Sequence, residues 1–240
     1  AMRGEALKIL QARDRIPGVS FSGDGKLSNF WQDATHVRGV WRKTTLDSSR
    51  TPDPVWETVL DVDALARAEE RNWVYKGAPC LAPEDRYCLV TLSDGGKDAV
   101  VYREFDTTTR TFLTDGFVLP EGKQDITWVA RDTVLVARDW GEGTMTKSSY
   151  PFVVKRWTRG TPLAAAAEVF RGTVDDVAVS PFVLRDPDGV VQAVMLSRAT
   201  SFFEAEYYLV NDTGVVKLPF PLKSSIKGLV QGRLVFSLEQ

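Results

Sequence analysis

NWVYKGAPCLAPEDRYCLVTLSDGGKDAVVYREFDTTTRTFLTDGFVLPEGK, residues 72–123, holds four apolar or alternating runs divided by turn residues. The runs are WVYKGAP (73–79), RYCLVTLS (86–93), AVVYREFD (99–106) and TFLTDGFVL (111–119). Valine, threonine and aromatic residues dominate them, the types that suit a pleated, half-buried surface. Between them stand Asp94-Gly95-Gly96 and Asp115-Gly116. Glycine there reaches positive φ without a steric penalty, and aspartate bonds its own backbone, so both favour tight turns.

The same four-run unit recurs on either side. First strands fall near Val19, Asn72, Asp125, Asp175 and Ser224, steps of 53, 53, 50 and 49 residues. Within each unit the expected order is an inner strand, a tight turn, two long apolar strands around a variable loop, and a shorter outer strand. Four strands repeating at this period predict an all-β chain of β-propeller blades, each a sheet of four antiparallel strands. Helix is expected only over Arg3 to Arg13, ended by Pro17 and Gly18, and over DVDALARAEE (61–70), with Asp61 or Asp63 as N-cap. Residues 1–18 thus read as a helical lead-in and 19–240 as a partial propeller of about four and a half blades. The run from Arg233 to Leu238 is followed by only two residues, so the reading is a piece of something longer.

Composition narrows the function. The chain has 240 residues, 30 Lys+Arg against 32 Asp+Glu, and is 43% hydrophobic. That balance leaves no basic footprint for nucleic acid. No stretch approaches the ~20 apolar residues of a membrane span, and no signal sequence opens the chain. The compartment is left open between cytoplasm and periplasm. His36 is the only histidine, and Cys80 and Cys88 are the only cysteines. Multi-histidine and four-cysteine metal centres are therefore excluded, and no metal or cofactor is expected.

Six segments carry a resemblance: SNFWQDATHVRGVWRKTTL (28–46), WETVLDVDALARAEERNWV (56–74), LSDGGKDAVVYREFD (92–106), DGFVLPEGK (115–123), YPFVVKRWTRGTPL (150–163) and VFRGTVDDVAVS (169–180). In order and spacing the chain after residue 15 resembles the N-terminal propeller of the prolyl oligopeptidase family of serine peptidases. The resemblance implies a propeller, usually of seven blades, that caps an α/β-hydrolase domain and restricts entry to short peptides. It also implies that domain as the partner, with a Ser-Asp-His triad whose serine lies in a Gly-x-Ser-x-Gly-Gly turn. None of this turn is present. Phe21-Ser22-Gly23-Asp24-Gly25 lacks the glycine two places before its serine, and any triad would need His36 as base. No catalytic, cofactor-binding or metal-binding residue is assigned. The reading is a non-catalytic, substrate-gating portion of a peptidase, with a stand-alone propeller that binds a peptide or protein as the alternative.

The remaining residues that invite a functional reading have plainer ones. His36 is expected as a loop histidine bonded to backbone rather than a substrate-facing group. Trp31, Trp41, Trp56, Trp73, Trp128, Trp140 and Trp157 are expected to pack blades together rather than form a ligand platform. Cys80 and Cys88 are symmetric about Glu84, which sets them opposite each other on antiparallel strands. Two buried free thiols are expected, with a disulfide open if the register holds. Asp85-Arg86, Arg103-Glu104 and Lys155-Arg156 read as solvated strand faces, and Glu69-Glu70 as partners of Arg67 and Arg71 on the short helix. Exposed faces on the terminal blades are expected to drive self-association of an open arc, unless the ring closes on itself.

Overall fold

The computed structural model describes residues 2–10 and 18–239. A lead-in helix α1 (Met2–Leu10) precedes the sheets; the expected helix end at residues 11–13 lies outside the described residues. The first sheet is β1 (Ser20–Phe21), β2 (Leu27–Trp31), β3 (Val40–Thr44) and β4 (Glu57–Asp61), antiparallel in that order. The second is β5 (Trp73–Gly77), β6 (Tyr87–Asp94) and β7 (Val100–Asp106), with β8 (Thr111–Phe112) and β9 (Val118–Gly122) both pairing with β7. The third runs β10 (Asp125–Ala130), β11 (Thr133–Ala137), β12 (Val153–Thr158), β13 (Ala167–Arg171). The fourth runs β14 (Ala178–Arg185), β15 (Val191–Ala199), β16 (Ala205–Asn211), β17 (Gly214–Lys217), and a hairpin of β18 (Ser224–Val230) and β19 (Arg233–Leu238) follows.

Four sheets in chain order and a final hairpin match the expected blades, with two departures. The run 111–119 is two strands, not one. The Glu104 carboxylate accepts from the Phe117 amide at 2.8 Å, and Gly116 lies so close that a methyl group there would meet the Glu104 side chain at 2.7 Å. The chain must turn around that side chain instead of continuing the ladder. In the same sheet the tight turn falls between β6 and β7, and the inner strand β5 is followed by a longer loop, residues 78–86.

Alternation explains the core. In β6, Cys88, Val90 and Leu92 belong to the cluster shared with the first sheet, around Trp41, Trp73 and Phe105. Leu89 points the other way, into the cluster with Phe117, Trp128 and Trp157. In β11, Val134 and Val136 join that second cluster, while Leu135 and Ala137 join a third with Val179, Leu196 and Val210. Successive side chains of a strand leave on opposite faces, so a sheet covered on both sides needs an unbroken apolar run. Inner strands β10 and β14 lie against each other. Arg185 of β14 donates to the Trp128 and Val129 carbonyls, 3.0 and 3.1 Å away, where β10 bulges.

The helix over 61–70 is α3 (Val62–Glu69), and Asp61 is its N-cap, accepting from the Ala64 amide at 2.9 Å. Asp63 instead receives the amides of Arg38 and Gly39, tying the helix to the β2–β3 loop. Two further short turns were not expected: α2 (Leu46–Ser49), which the Thr45 hydroxyl caps by accepting from Ser48, and a 3-10 turn at Leu163–Ala165.

Candidate functional site at the inner turns

Ser22 and His36 lie beyond opposite ends of β2, a five-residue strand that spans about 16 Å. The Ser22 hydroxyl donates to the Lys26 carbonyl at 3.1 Å. His36 sits in the β2–β3 loop with its amide 2.7 Å and its ring Nδ1 3.3 Å from the Asp33 carboxylate. Its partner is thus mainly a carboxylate, where a backbone partner was expected. The His36 amide holds Asp33 at about 2, against a usual value near 4. A base must reach its nucleophile through the imidazole, and these two residues are held apart.

The inner turns do converge. The loop 78–86 joins β5 to β6 and contains a cis Ala82-Pro83 bond and the left-handed Asp85, φ 52°. Its base is closed by an antiparallel bridge between Cys80 and Cys88, and the two sulfurs form a disulfide. The expected free thiols are thereby corrected: the symmetric register about Glu84 holds, and it sets the Cα atoms 3.9 Å apart. Leu81 donates to the Tyr87 carbonyl at 2.8 Å and Leu89 to the Pro79 carbonyl at 3.0 Å.

Each of the other three sheets reaches this loop. From the β1–β2 turn, the Gly23 amide donates to Asp85 at 2.7 Å, and a methyl group at Gly23 would stand 1.6 Å from the Pro83 carbonyl oxygen. From the third sheet, the Trp128 indole donates to the Pro79 carbonyl at 3.1 Å, and Arg131 stacks on Tyr87 at 3.7 Å. From the β14–β15 turn, Gly189 at φ 79° packs on Pro83, whose nitrogen would be 2.8 Å from a methyl group there. The loop therefore sits between the β1–β2 and β14–β15 turns, with Trp128 of β10 against its base. Beside it a cavity of about 530 Å³ is lined by Phe30, Trp41, Tyr75, Lys43, Cys80 and Asp85. Phe30 and Tyr75 stack at 4.4 Å along its wall, and burial pushes the Tyr75 phenol well up. A second cavity, of about 460 Å³, is lined by charged groups already paired: Lys26 with Glu57 at 2.7 Å, Lys43 with Asp24 at 2.9 Å, Arg110 with Glu57.

The Arg103-Glu104 reading also needs correction. Glu104 is fully buried and bonds Arg131 at 2.6 Å and Arg159 at 3.0 Å, both from the third sheet. Burial pushes its carboxyl up, while the Phe117 amide and Arg131 pull it back. The signal was present in the alternation: Glu104 shares the β7 face of Val100 and Tyr102, both buried. Glu69 bonds the Trp73 indole and Arg103, each at 2.7 Å, instead of a helix arginine. Asp85-Arg86 is likewise engaged, Asp85 with Gly23 and Arg86 bidentate with Asp106. Of the tryptophans, Trp41, Trp73, Trp128 and Trp157 are buried between sheets, as expected. Trp31 and Trp56 instead flank the Arg42 guanidinium at 4.7 and 4.1 Å. Burial raises the Asp125 carboxyl at the start of β10, where Ser180 of β14 bonds it. Among the described residues no group of three or more His, Cys, Asp and Glu is placed to hold a metal ion.

A model of the prolyl oligopeptidase N-terminal β-propeller domain matches residues 4–232. The chain belongs to the prolyl oligopeptidase family. Within it, the chain is 47% identical over 241 residues to an uncharacterized peptidase, y4nA, of Sinorhizobium fredii (strain NBRC 101917 / NGR234), covering 99% of this chain and 33% of that protein. It is 28% identical over 217 residues to an uncharacterized peptidase, RP174, of Rickettsia prowazekii (strain Madrid E), covering 85% of this chain and 30% of that one. The fold is similar to that of a post-proline cleaving enzyme from Rickettsia typhi, with a TM-score of 0.88 at 25% identity over 98% of this chain and 36% of that one. The chain spans about a third of the length of each of these relatives.

Proposed function

We propose that this family propeller is the non-catalytic, gating part of a serine-type peptidase that acts on short peptides. One observation carries the reading: turns of the first and fourth sheets and Trp128 of the third converge on a single tied loop of the second, while Ser22 and His36 are held at opposite ends of a strand. Such an arrangement can exclude bulky chains and bulk water from a reacting centre supplied by another domain. It cannot activate a nucleophile by itself. The resemblance assigns that domain an α/β-hydrolase fold and the whole ring seven blades. Similarity over nearly the full chain to relatives described as peptidases supports this reading over a stand-alone binding module.

The test uses the complete peptidase and proline-containing peptides of graded length. Turnover per enzyme is expected to fall steeply once the substrate outgrows the propeller opening, with folded proteins left intact. Equal kcat/KM for an eight-residue and a forty-residue peptide, or cleavage of a folded protein, overturns the gate. The 240-residue chain alone is expected to leave the same peptides uncut.

A further inference from the structure

We propose that Cys80 and Cys88 are a thiol–disulfide exchange site that governs whether the loop 78–86 stays seated at the inner turns. The two sulfurs are unequal in access. Cys88 has no exposed surface, whereas Cys80 is half-buried and lines the cavity of about 530 Å³. A thiolate entering that cavity meets Cys80 and not Cys88.

The exchange balances with a dithiol as reductant. Its first thiolate attacks the Cys80 sulfur, a mixed disulfide forms, and the Cys80–Cys88 bond breaks with its electron pair leaving on Cys88. The second thiol of the reductant, deprotonated, attacks its own sulfur in the mixed disulfide and releases Cys80. The reductant departs as a disulfide, and its two protons end on the two cysteines. Acceptors stand ready for both new thiols: the Ala78 carbonyl is 3.2 Å from the Cys80 sulfur and the Asp85 carbonyl 3.5 Å from that of Cys88.

The placement of the loop gives this chemistry a consequence. Across its base the disulfide is reinforced by two backbone hydrogen bonds, from Leu81 and Leu89. Its tip lies against Gly23, which holds it by one amide hydrogen bond to Asp85 at 2.7 Å, and against Gly189, and neither contributes a side chain. A loop freed at its base loses the geometry that holds Pro83 and Asp85 against those turns. The effect of this release on peptide entry rests on the gating reading above; the release itself does not.

The experiment is hydrogen exchange by mass spectrometry on the 240-residue chain, oxidised and then treated with dithiothreitol without denaturant, with thiols counted in parallel. Two thiols per chain are expected to appear only after treatment. Exchange in peptides covering 79–89 is expected to rise at least tenfold, together with that of the Gly23 amide, while β15 and β16 keep their protection. The Cys80→Ser/Cys88→Ser chain is expected to match the reduced protein and ignore dithiothreitol. A disulfide that resists native reduction, a reduced loop with unchanged exchange, or equal loosening of β15 and β16 overturns the proposal. In the complete peptidase, a loop that is released without any change in kcat/KM for long peptides overturns the gate and leaves the exchange site standing.

Discussion

The contact between the second and third sheets and the terminal hairpin draw on the same residue types and end in opposite states. In the first, Phe117 meets Trp128 and Trp157 edge-on, at 5.7 and 4.9 Å, and Glu104 is closed over by two arginines. In the second, Val230, Val235, Phe236 and Leu238 are 60, 43, 37 and 59% exposed. The difference lies in their neighbours. β11 has a sheet on each face, whereas among the described residues β18 and β19 pair only with each other, in a two-stranded sheet. An apolar run marks a strand as belonging in a stack; the stack decides whether the run is buried.

The largest effect expected from breaking this contrast is at the clamp. Glu104→Ala takes the buried carboxylate from Arg131, from Arg159 (which keeps Asp132 at 2.8 Å) and from the Phe117 amide. Removing one partner of a buried ion pair costs about 3–5 kcal/mol, and because the arginines are partly exposed the cost here is expected at the low end. Urea unfolding of the 240-residue chain measures it. Replacing all three, Glu104→Leu with Arg131→Met and Arg159→Leu, is expected to restore most of the loss, because no buried charge is then left alone. A cost below about 1 kcal/mol for Glu104→Ala would mean that apolar packing by itself holds the two sheets together.

That clamp also shows what the sequence did and did not carry. The blades were legible because a sheet buried on both faces writes itself as continuous apolar runs at a fixed spacing, as in Cys88 to Leu92 and Val134 to Ala137. The helix cap at Asp61 was legible because it is local. For Glu104 only the burial was legible, from its alternation with Val100 and Tyr102; its partners were not, since they lie on another sheet, 27 and 55 positions away. The loop 78–86 was half legible: symmetry about Glu84 gave the cysteine register. Nothing local shows that the turns of Gly23 and Gly189 converge on Pro83.

Next in size is the tie itself. Closing so short a loop is worth about 2–3 kcal/mol in chain entropy, so the Cys80→Ser/Cys88→Ser chain is expected to unfold earlier in urea by that amount. An unchanged midpoint would place the stability of the loop in its contacts with Gly23, Trp128 and Gly189 alone.

A smaller, graded effect comes from acid. The His36 amide holds Asp33 at about 2. Burial raises Asp176, but its bidentate bond to Arg198 and the Thr173 amide bring it below the usual carboxylate value. Groups depressed in the folded state contribute stability that is complete above their unfolded value, about 3.9, and is lost as pH falls through the folded one. Urea midpoints are therefore expected to drop between about pH 4 and pH 2, and Asp33→Asn and Asp176→Asn to flatten that slope. A slope identical in both variants would remove these two carboxylates from the acid response.

The smallest effect on stability, and the clearest on assembly, is expected at the terminal hairpin. Val235 and Phe236 are partly exposed, so Val235→Lys is expected to change the unfolding free energy by no more than about 0.5 kcal/mol, as surface substitutions do. Exposed apolar strand faces and unpaired edges nonetheless favour association, because each contact removes apolar surface from water and pairs idle backbone groups. The occupant expected for the 240-residue chain is a second copy, its own hairpin offering the same face and the same free edge. Sedimentation at micromolar concentration is expected to show a dimer or larger species for the parent chain and a shift toward monomer for Val235→Lys. The substitution adds a charge where the two faces would meet, and a charge can leave that contact only by opening it. A parent chain that sediments as a monomer would show that four sheets and a hairpin tolerate the open face, and the contrast with the clamped second and third sheets would then be one of burial without consequence for assembly.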